Sequence, residues 1–286
     1  MIRSILVTMT GDPTDAATLA AAVAIARPFG AHLDVLHVRT DPINAGMALA
    51  TGGGDGAITA GLIEQLEADA TQREARARDG FERFCAETGL TVAAAPAAEP
   101  AAPSAEFHVE TGREPDWVAV YGRSSDLIVA SRSAEEPLGR TTLEAVLLET
   151  GRPLLIPGPG AMPAAVERVA IAWKPAPQAA RALALAMPFL QHATEVVIAT
   201  VEETADERDE IDRLSRYLER HGLHSTVARM RPGPEGAAAT LLSALVGRAD
   251  LLVMGGYGHS RVREWVFGGF TQHVLAGAPL PVLMAH

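Results

Sequence analysis

The sequence predicts an α/β fold made of two tandem, doubly wound, mostly parallel sheets of about five strands each, with helices on both faces. Three observations support this fold class. Short apolar runs recur in the same order in the two halves of the 286 residues, amphipathic helical patterns lie between them, and a Gly/Pro-rich segment separates the halves. Strands that alternate with helices favour parallel pairing through right-handed crossovers, which gives a Rossmann-like architecture.

Four strand-like runs of the first half have counterparts in the second half. Each run is short and rich in Val, Ile and Leu, which is typical of a parallel strand buried on both faces. The pairs are 3–7 with 168–172, 32–38 with 194–201, 126–130 with 250–254, and 152–157 with 280–285. Self-similarity of this extent indicates a duplicated domain.

The segments between these runs carry apolar stripes at helical spacing, which predict amphipathic helices. The stripes consist of Leu19, Val23 and Ala26 within 15–28, and of Ile211, Leu214 and Leu218 in the second half. Helices of this kind pack on a sheet, so each half is expected to form its own layered domain.

The predicted linker is the Gly/Pro-rich segment 157–163, which places the two domains at 1–157 and 165–286. Two stretches of the first half break the symmetry. The glycine-rich stretch 51–56 is interpreted as a flexible loop, with a ligand site as the alternative. The Ala/Pro-rich stretch 93–105 cannot form a regular helix or a central strand and is expected to be a surface excursion.

Composition limits the compartment and the partners. The net charge of −11 argues against a general nucleic-acid-binding protein, because phosphate contacts need clustered Lys and Arg. Cys85 is the single cysteine, so the chain has no intramolecular disulfide. The histidines show no metal-ligand spacing, and no metal site is expected. No signal-peptide pattern and no run of about 20 apolar residues occurs, so a cytoplasmic protein without a membrane span is expected.

A glycine-rich loop follows the strand-like run 251–254. Gly255 and Gly258 begin this loop, and Gly268 and Gly269 end it before a helix predicted at 270–276. Glycines let backbone N–H groups approach an anion and tolerate a positive φ. The first N–H groups of the helix would face the same anion. The pattern therefore predicts a phosphate site at the carboxyl ends of the strands, with a tight turn that binds no ligand as the alternative.

With this loop, its flanking strands and the duplication, the chain resembles the universal stress protein family over nearly its whole length. The family motif is Gly-x2-Gly-x9-Gly-Ser/Thr, and the second half has these glycines at 255, 258 and 268. The resemblance implies an adenine nucleotide α-hydrolase-like fold that binds ATP or another adenine nucleotide, with Mg²⁺ accompanying the nucleotide. It also implies an internal pseudo-dimer through 154–157 and 281–284, and a homodimer of chains.

The resemblance assigns the site residues as well. Met254 and Val201 fall on the adenine side, and the glycine loop and the following helix hold the phosphates and the ribose. Trp173 is either a core aromatic or an adenine-stacking platform, and His259 is either an exposed loop residue or a phosphate donor. The implied nucleotide-binding residues are Ala172, Trp173, Lys174, Val201, Met254, Gly255, Gly258, His259, Gly268, Gly269, Phe270 and Thr271.

Several positions depart from the family pattern. Gly269 stands where Ser or Thr is usual and keeps only its N–H. Lys174 stands where an acidic residue binds ribose, and because lysine has no hydrogen-bond acceptor, it either contacts a phosphate or is solvated. In the first half, 130–133 lacks the Gly-x2-Gly glycines and Thr10 occupies the acidic position. We expect this first copy to have lost nucleotide binding and to serve as a packing partner.

The resemblance leads to three functional hypotheses. The first is a non-catalytic stress-response regulator that binds an adenine nucleotide in the second domain. The second is a structural or protein-interaction module of the same fold that binds no nucleotide. The third, ranked last, is an enzyme that joins AMP to a substrate. The sequence has no Gly-x-Ser-x-Gly elbow and no Lys-Ser/Thr after a glycine loop, so no catalytic residue is assigned.

Overall fold

The chain divides into two units, Ile2–Thr150 and Gly151–His286. The computed structural model describes residues 1–43, 60–94, 102–132, 137–201, 206–256 and 269–286. The glycine-rich stretch 51–56 lies outside the described residues, and so do Gly258, His259 and Gly268 of the predicted loop. Each unit is a mostly parallel sheet with helices packed on it, which confirms the predicted tandem α/β fold.

The described part of the first unit has a parallel sheet of five strands in the order β3-β4-β2-β1-β5. The strands are β1 Ser4–Met9, β2 His32–Thr40, β3 Thr91–Val92, β4 Ser104–Gly112 and β5 Leu127–Val129. The helices are α1 Asp15–Ala26, α2 Ala60–Thr88, α3 Glu114–Gly122 and α4 Pro137–Glu149, with a short 3-10 helix at Arg27–Phe29. β1, β2 and β4 are each followed by a helix, which supplies the crossover that parallel strands need.

The described part of the second unit has its strands in the order β6-β11-β10-β7-β8-β9. They are β6 Leu154–Ile156, β7 Arg168–Ala172, β8 Glu195–Val201, β9 Ser225–Met230, β10 Leu251–Gly255 and β11 Val282–Ala285. The helices are α5 Pro177–Leu190, α6 Asp206–Arg220, α7 Gly236–Leu245 and α8 Gly269–Gly277.

The segments 154–157 and 281–284 contribute strands that pair with each other within the second unit. β6 runs antiparallel to β11, with Leu155 opposite Leu283, whereas the other described pairs of this unit are parallel. Because β10 lies on the other side of β11, the last strand of the chain is paired on both edges. It therefore offers no free edge to the last strand of a second chain.

Neighbouring residues of β4 show that the first unit has helices on both faces of its sheet. Successive side chains of a strand point to opposite faces. Phe107 stacks on Phe81 of α2, with ring centroids 5.2 Å apart, whereas His108 lies beside Tyr121 of α3, with ring centroids 5.5 Å apart. Among the described residues, no helix is long and apolar enough to cross a membrane.

The structure corrects the prediction for 93–105. Instead of a surface excursion throughout, Ser104 and Ala105 begin β4 and are buried, and β4 pairs with β2 along its whole length. The apolar pattern missed this strand because one of its faces carries Glu106, His108 and Glu110 in place of apolar residues. It missed β9 for a related reason, since β9 is an edge strand whose residues are only partly buried.

One aspartate in each unit fastens the first strand of that unit to its neighbour. Asp126 Oδ2, just before β5, accepts the backbone N–H groups of Arg3 at 2.7 Å and Ser4 at 3.1 Å. Asp250 Oδ2, just before β10, accepts the N–H of Arg168 at 2.8 Å and that of the preceding residue at 3.1 Å. An Asp therefore precedes both β5 and β10 because its carboxylate binds the backbone at the start of the neighbouring strand.

Candidate functional site

A cavity of about 320 Å³ lies at the carboxyl ends of β7, β8 and β10 in the second unit. The chain leaves β7 toward β8 on one side and later returns to β10 on the other, so β7 and β10 flank the point where the strand order reverses. The carboxyl ends of two such strands leave a crevice between their loops, which is where open α/β sheets bind ligands. The cavity therefore forms where the fold by itself predicts a site.

All predicted nucleotide-binding residues that the structure describes line this one cavity. The three others lie in 257–268, outside the described residues. Because these residues come from different strands and from a helix start, only the folded sheet brings them together. The residues that line the cavity as predicted are Ala172, Trp173, Lys174, Val201, Met254, Gly255, Gly269, Phe270 and Thr271.

Three helices begin at the cavity. The lining includes Ala176 and Ala179 at the start of α5, Ala237 at the start of α7, and Gly269 at the start of α8. The side chain before α5 is Ala176, which cannot cap the helix. The first N–H groups of a helix have no partner within the helix and carry a partial positive charge. The cavity is therefore suited to an anionic ligand.

The charge of the lining has one sign. Lys174, the only lysine in the sequence, is exposed and is the only charged residue among the described lining residues. None of these residues is Asp or Glu, so the carboxylate that binds ribose in related sites has no counterpart in the described lining. Much of the remaining wall is apolar, with Val201, Leu241 and Met254 among its members. Such a wall suits a flat apolar group beside an anion.

Two lining side chains hold polar atoms that are buried without a hydrogen-bond partner among the described residues. These atoms are the indole Nε1 of Trp173 and the amide Oε1 of Gln178. Buried polar groups in native proteins are almost always hydrogen-bonded, so such atoms mark a place where a ligand or a side-chain rearrangement supplies the partner. Sequence reasoning missed Gln178 because it lies in the first turn of α5, a helix with no family motif.

Gly255 is required for a different reason than the one predicted. A β-carbon at this position would lie 2.6 Å from the backbone nitrogen of Ala179 and 2.8 Å from the carbonyl carbon of Gln178. Gly255 belongs to β10 and does not have a positive φ. The missing side chain therefore lets the end of β10 contact the start of α5. At Gly269, by contrast, a β-carbon would meet no heavy atom of the described residues within 4 Å.

The matching end of β1 in the first unit is closed by internal hydrogen bonds. The backbone N–H groups of Thr10 and Gly11 donate to the Asp15 carboxylate at 3.0 and 2.8 Å. Arg76 of α2 donates from Nε to the Gly11 carbonyl at 3.0 Å. A β-carbon on Gly11 would lie 2.5 Å from the Arg73 carbonyl oxygen, and φ of Gly11 is +81°. Helix α2 thus lies against the turn at Thr10 and Gly11, where the family pattern places its ribose-binding acidic residue.

Burial and hydrogen bonding shift the pKa of Asp15 in opposite directions. Burial raises the pKa of Asp15, and the N–H groups of Thr10 and Gly11 offset only part of that increase. The carboxylate therefore serves to hold the turn after β1. Its two strongest donors belong to the chain itself, so it is not available to bind a ribose hydroxyl.

The end of β5 in the first unit also differs from its counterpart. Ser131 donates from Oγ to Thr14 Oγ1 at 3.3 Å. The Nε and Nη2 atoms of Arg132 are buried and have no hydrogen-bond partner in the part of the chain that the structure describes, and burial lowers the pKa of Arg132. Ser131 and Arg132 thus stand where the second unit has Gly255 and Gly256, and the loss of nucleotide binding by the first copy stays a prediction.

Comparison with protein families identifies the duplicated fold. The model of the universal stress protein family matches residues 1–156 and 163–286. The chain belongs to the universal stress protein family. The match covers both copies of the repeat, so the chain contains two universal stress protein domains in tandem. No curated protein sequence matches the chain significantly.

Solved structures agree with this assignment. A universal stress protein from Archaeoglobus fulgidus DSM 4304 is 17% identical, with 99% of this chain and 95% of that chain covered and a TM-score of 0.68. A functionally unknown protein from Pseudomonas aeruginosa PAO1 is 16% identical, with 99% and 92% covered and a TM-score of 0.56. The cytoplasmic domain of a prokaryotic cation chloride cotransporter is 12% identical, with 99% and 95% covered and a TM-score of 0.53. At these identities the likeness concerns the fold.

Proposed function

We propose that this universal stress protein binds an adenine nucleotide in the cavity of its second unit and acts in the cytoplasm as a non-catalytic stress-response regulator. The observation that supports this proposal is the cavity itself. Apolar walls, three helix starts and one ammonium group surround a space of about 320 Å³ at the switch point of the sheet. This combination provides an apolar part for a base and an electropositive part for phosphates.

Each part of the nucleotide has a proposed partner. Val201 and Met254 contact the adenine, and the backbone N–H groups at the start of α8, from Gly269 to Thr271, bind phosphate oxygens. Lys174 pairs with a phosphate, because an ammonium can donate but not accept. Mg²⁺ would be held by the phosphates themselves, since the described lining has no carboxylate to bind it.

Gln178 is proposed to replace the missing carboxylate at the ribose. Its amide oxygen is an acceptor and has no partner among the described residues. A ribose hydroxyl can donate to an amide oxygen as well as to a carboxylate, although the neutral bond is weaker. The affinity should therefore be lower than in a site with an acidic residue.

The experiment combines ATP titration by calorimetry with chemical modification of the single lysine. Mass spectrometry follows acetylation of Lys174, and the α-amine of Met1 serves as an internal reference. ATP should protect Lys174 and leave Met1 unaffected. Lys174→Glu should weaken ATP binding about ten-fold or more, because a charge-assisted hydrogen bond contributes about 1.5–3 kcal/mol.

Arg181→Glu is the matched control, because it makes the same charge change at an exposed residue of α5 that is not part of the lining. It should change ATP affinity by about two-fold or less, since solvent and salt screen exposed charges. No heat at millimolar ATP, together with equal acetylation of Lys174 with and without ATP, would contradict the proposal.

One observation favours a second candidate, a protein-interaction module that binds no nucleotide. The described lining lacks the carboxylate that would bind ribose, and Lys174 stands in its place. For this candidate the protein should carry no nucleotide when purified, as measured by mass spectrometry of acid-released small molecules. Adenine nucleotide recovered in proportion to protein would exclude it.

A further inference from the structure

Four potential metal ligands lie on one face of two neighbouring strands in the first unit. His32 and Asp34 are two residues apart on β2, and Glu106 and His108 are two residues apart on β4. In the register of the two strands, Asp34 lies opposite Glu106, and His32 lies opposite Ser104. Because side chains alternate between faces, all four point to the same side of the sheet. The cluster belongs to the first unit, whereas the nucleotide cavity belongs to the second.

Three distances between neighbouring ligand atoms of the cluster approach those around a tetrahedral ion. Asp34 Oδ1 lies 3.8 Å from His32 Nε2 and 3.3 Å from His108 Nε2. His108 Nε2 lies 3.6 Å from Glu106 Oε2. Ligands at about 2.0–2.1 Å from a tetrahedral Zn²⁺ stand about 3.3–3.5 Å from one another. His32, Asp34 and Glu106 offer one ligand atom each within 4.8 Å of one another, and His108 lies outside that trio and joins it through Asp34 and Glu106.

His32 is oriented toward the cluster, where Nε2 lies 3.8 Å from Asp34 Oδ1 and makes no hydrogen bond to the described residues. Its side chain is only 7% exposed. Its Nδ1 lies 2.8 Å from Ser104 Oγ, whereas Nε2 is buried and has no hydrogen-bond partner within the described segments. A hydrogen bond to one ring nitrogen fixes the orientation of the ring and leaves the other nitrogen for a metal. A buried imidazole nitrogen without a partner calls for an explanation, and a bound cation supplies one.

Asp34 is oriented in the same way. Its Oδ2 accepts a hydrogen bond from Ser4 Oγ at 3.1 Å, which leaves Oδ1 facing both imidazoles. Serine hydroxyls thus support two of the four ligands, an arrangement typical of metal sites. The side chains of His108, Asp34 and Glu106 are 23%, 28% and 34% exposed, so an ion can enter from solvent.

No arginine or lysine of the described residues pairs with the negative charge at the cluster. The described ion pairs of Asp34 and Glu106 involve only His32 and His108. With neutral imidazoles, the cluster attracts a divalent cation.

We propose that His32, Asp34, Glu106 and His108 bind one divalent transition-metal ion of the Zn²⁺ type. Two imidazoles and two carboxylates suit Zn²⁺, Co²⁺ or Ni²⁺, whereas Mg²⁺ and Ca²⁺ prefer all-oxygen sites. This site is independent of the proposed nucleotide binding. The competing arrangement is a set of protonated histidines paired with carboxylates, with no metal.

The test uses the tag-free full chain, stripped with a chelator and then titrated with Zn²⁺ against a chromophoric competitor. Wild type should bind one Zn²⁺ per chain, and Mg²⁺ should not displace it. His108→Ala should weaken Zn²⁺ binding at least ten-fold, and Ser104→Ala should weaken it about 10- to 100-fold, the effect of losing an outer-shell partner. His224→Ala, an exposed histidine outside the cluster, is the matched control and should bind like wild type.

A second measurement on the wild-type protein does not depend on the folding of any variant. X-ray absorption of the Zn²⁺-loaded chain should show two imidazole nitrogens at about 2.0 Å and no sulfur neighbour. A shell without two imidazoles would overturn the proposal. It would also be overturned if wild type retains no Zn²⁺ after desalting, or if His108→Ala retains as much as wild type.

Discussion

The two crevices at the carboxyl ends of the sheets differ although their strands correspond. In the second unit the end of β7 opens onto a cavity with Lys174 in its wall. In the first unit the end of β1 is held by Asp15, and Arg76 of α2 donates to the Gly11 carbonyl. The helix that follows the second strand explains much of this difference, because α2 has 29 residues and α6 has 15. A duplicated fold keeps its strands, and the segments between them decide which copy can bind a ligand.

The largest expected loss of stability comes from a substitution in the turn that closes the first crevice. Gly11→Ala should lower the free energy of unfolding by about 2–4 kcal/mol, because the residue would adopt a left-handed conformation and press on the Arg73 carbonyl. Gly255→Ala should cost about 1–3 kcal/mol through its contact with α5, and should also weaken ATP binding. Urea unfolding followed by circular dichroism measures the first effect, and calorimetry measures the second.

Gly61→Ala is the control for these substitutions, because Gly61 lies in α2 with no heavy atom of the described residues within 4 Å of its added β-carbon. It should cause no loss of stability. Equal ATP binding by Gly11→Ala and wild type at temperatures where both are folded is also expected. Loss of ATP binding in Gly11→Ala would show that the first crevice contributes to the nucleotide site.

Sequence patterns predicted the parts of both units that depend on buried apolar runs. The four recurring runs became paired strands, and the glycine motif led to the residues around the cavity. The polar strand β4 was missed because its Glu106 and His108 give no apolar signal. The same alternation hid the proposed metal cluster, since ligands two residues apart on two strands approach one another only through the strand register. The available signal for the metal cluster was the pair of patterns His32-x-Asp34 and Glu106-x-His108.

Two other features could not be predicted because they depend on packing between distant elements. The requirement for glycine at 255 comes from the position of α5 against β10, not from a loop conformation. The bonds that close the first crevice involve Asp15, which the sequence placed simply at a helix start. A single sequence shows that a glycine or an aspartate is present, but not which atoms lie beside it.

An intermediate loss of stability is expected when the aspartate that fastens the first strand of either unit is replaced by asparagine. Asp250→Asn should lower the free energy of unfolding by about 1–3 kcal/mol at pH 7, because it weakens charge-assisted hydrogen bonds to backbone N–H groups and to the Arg168 guanidinium. Asp126→Asn should cost less, since the Arg3 guanidinium donates to Phe29 and not to this carboxylate. Urea unfolding of the two variants at equal pH compares them.

The pH dependence tests the charge of Asp250. Burial alone raises the pKa of Asp250, but hydrogen bonds from the Arg168 guanidinium and from backbone N–H groups outweigh it and hold the pKa below the ordinary value of 3.8. The contribution to stability is therefore complete above pH 3.8 and is lost as the pH falls through the lower folded-state pKa. The difference between wild type and Asp250→Asn should shrink in that range. A difference that stays constant down to pH 2 would contradict the assigned role of the charge.

The smallest expected effect is a gain in ATP affinity when Gly269, which stands where the family motif has Ser or Thr, is replaced by serine. Gly269→Ser should fit without strain, because the added β-carbon has open space among the described residues and φ is not positive. The new hydroxyl should donate to a phosphate and raise ATP affinity roughly 2- to 10-fold, the effect of one additional hydrogen bond. Gly269→Ala provides the same β-carbon without the hydroxyl and, like serine, favours the helix more than glycine does. If both variants raise affinity equally in calorimetry, the gain comes from ordering the start of α8. Only a gain confined to serine would show that the second crevice keeps the geometry for the lost contact, which the closed crevice of the first unit cannot provide.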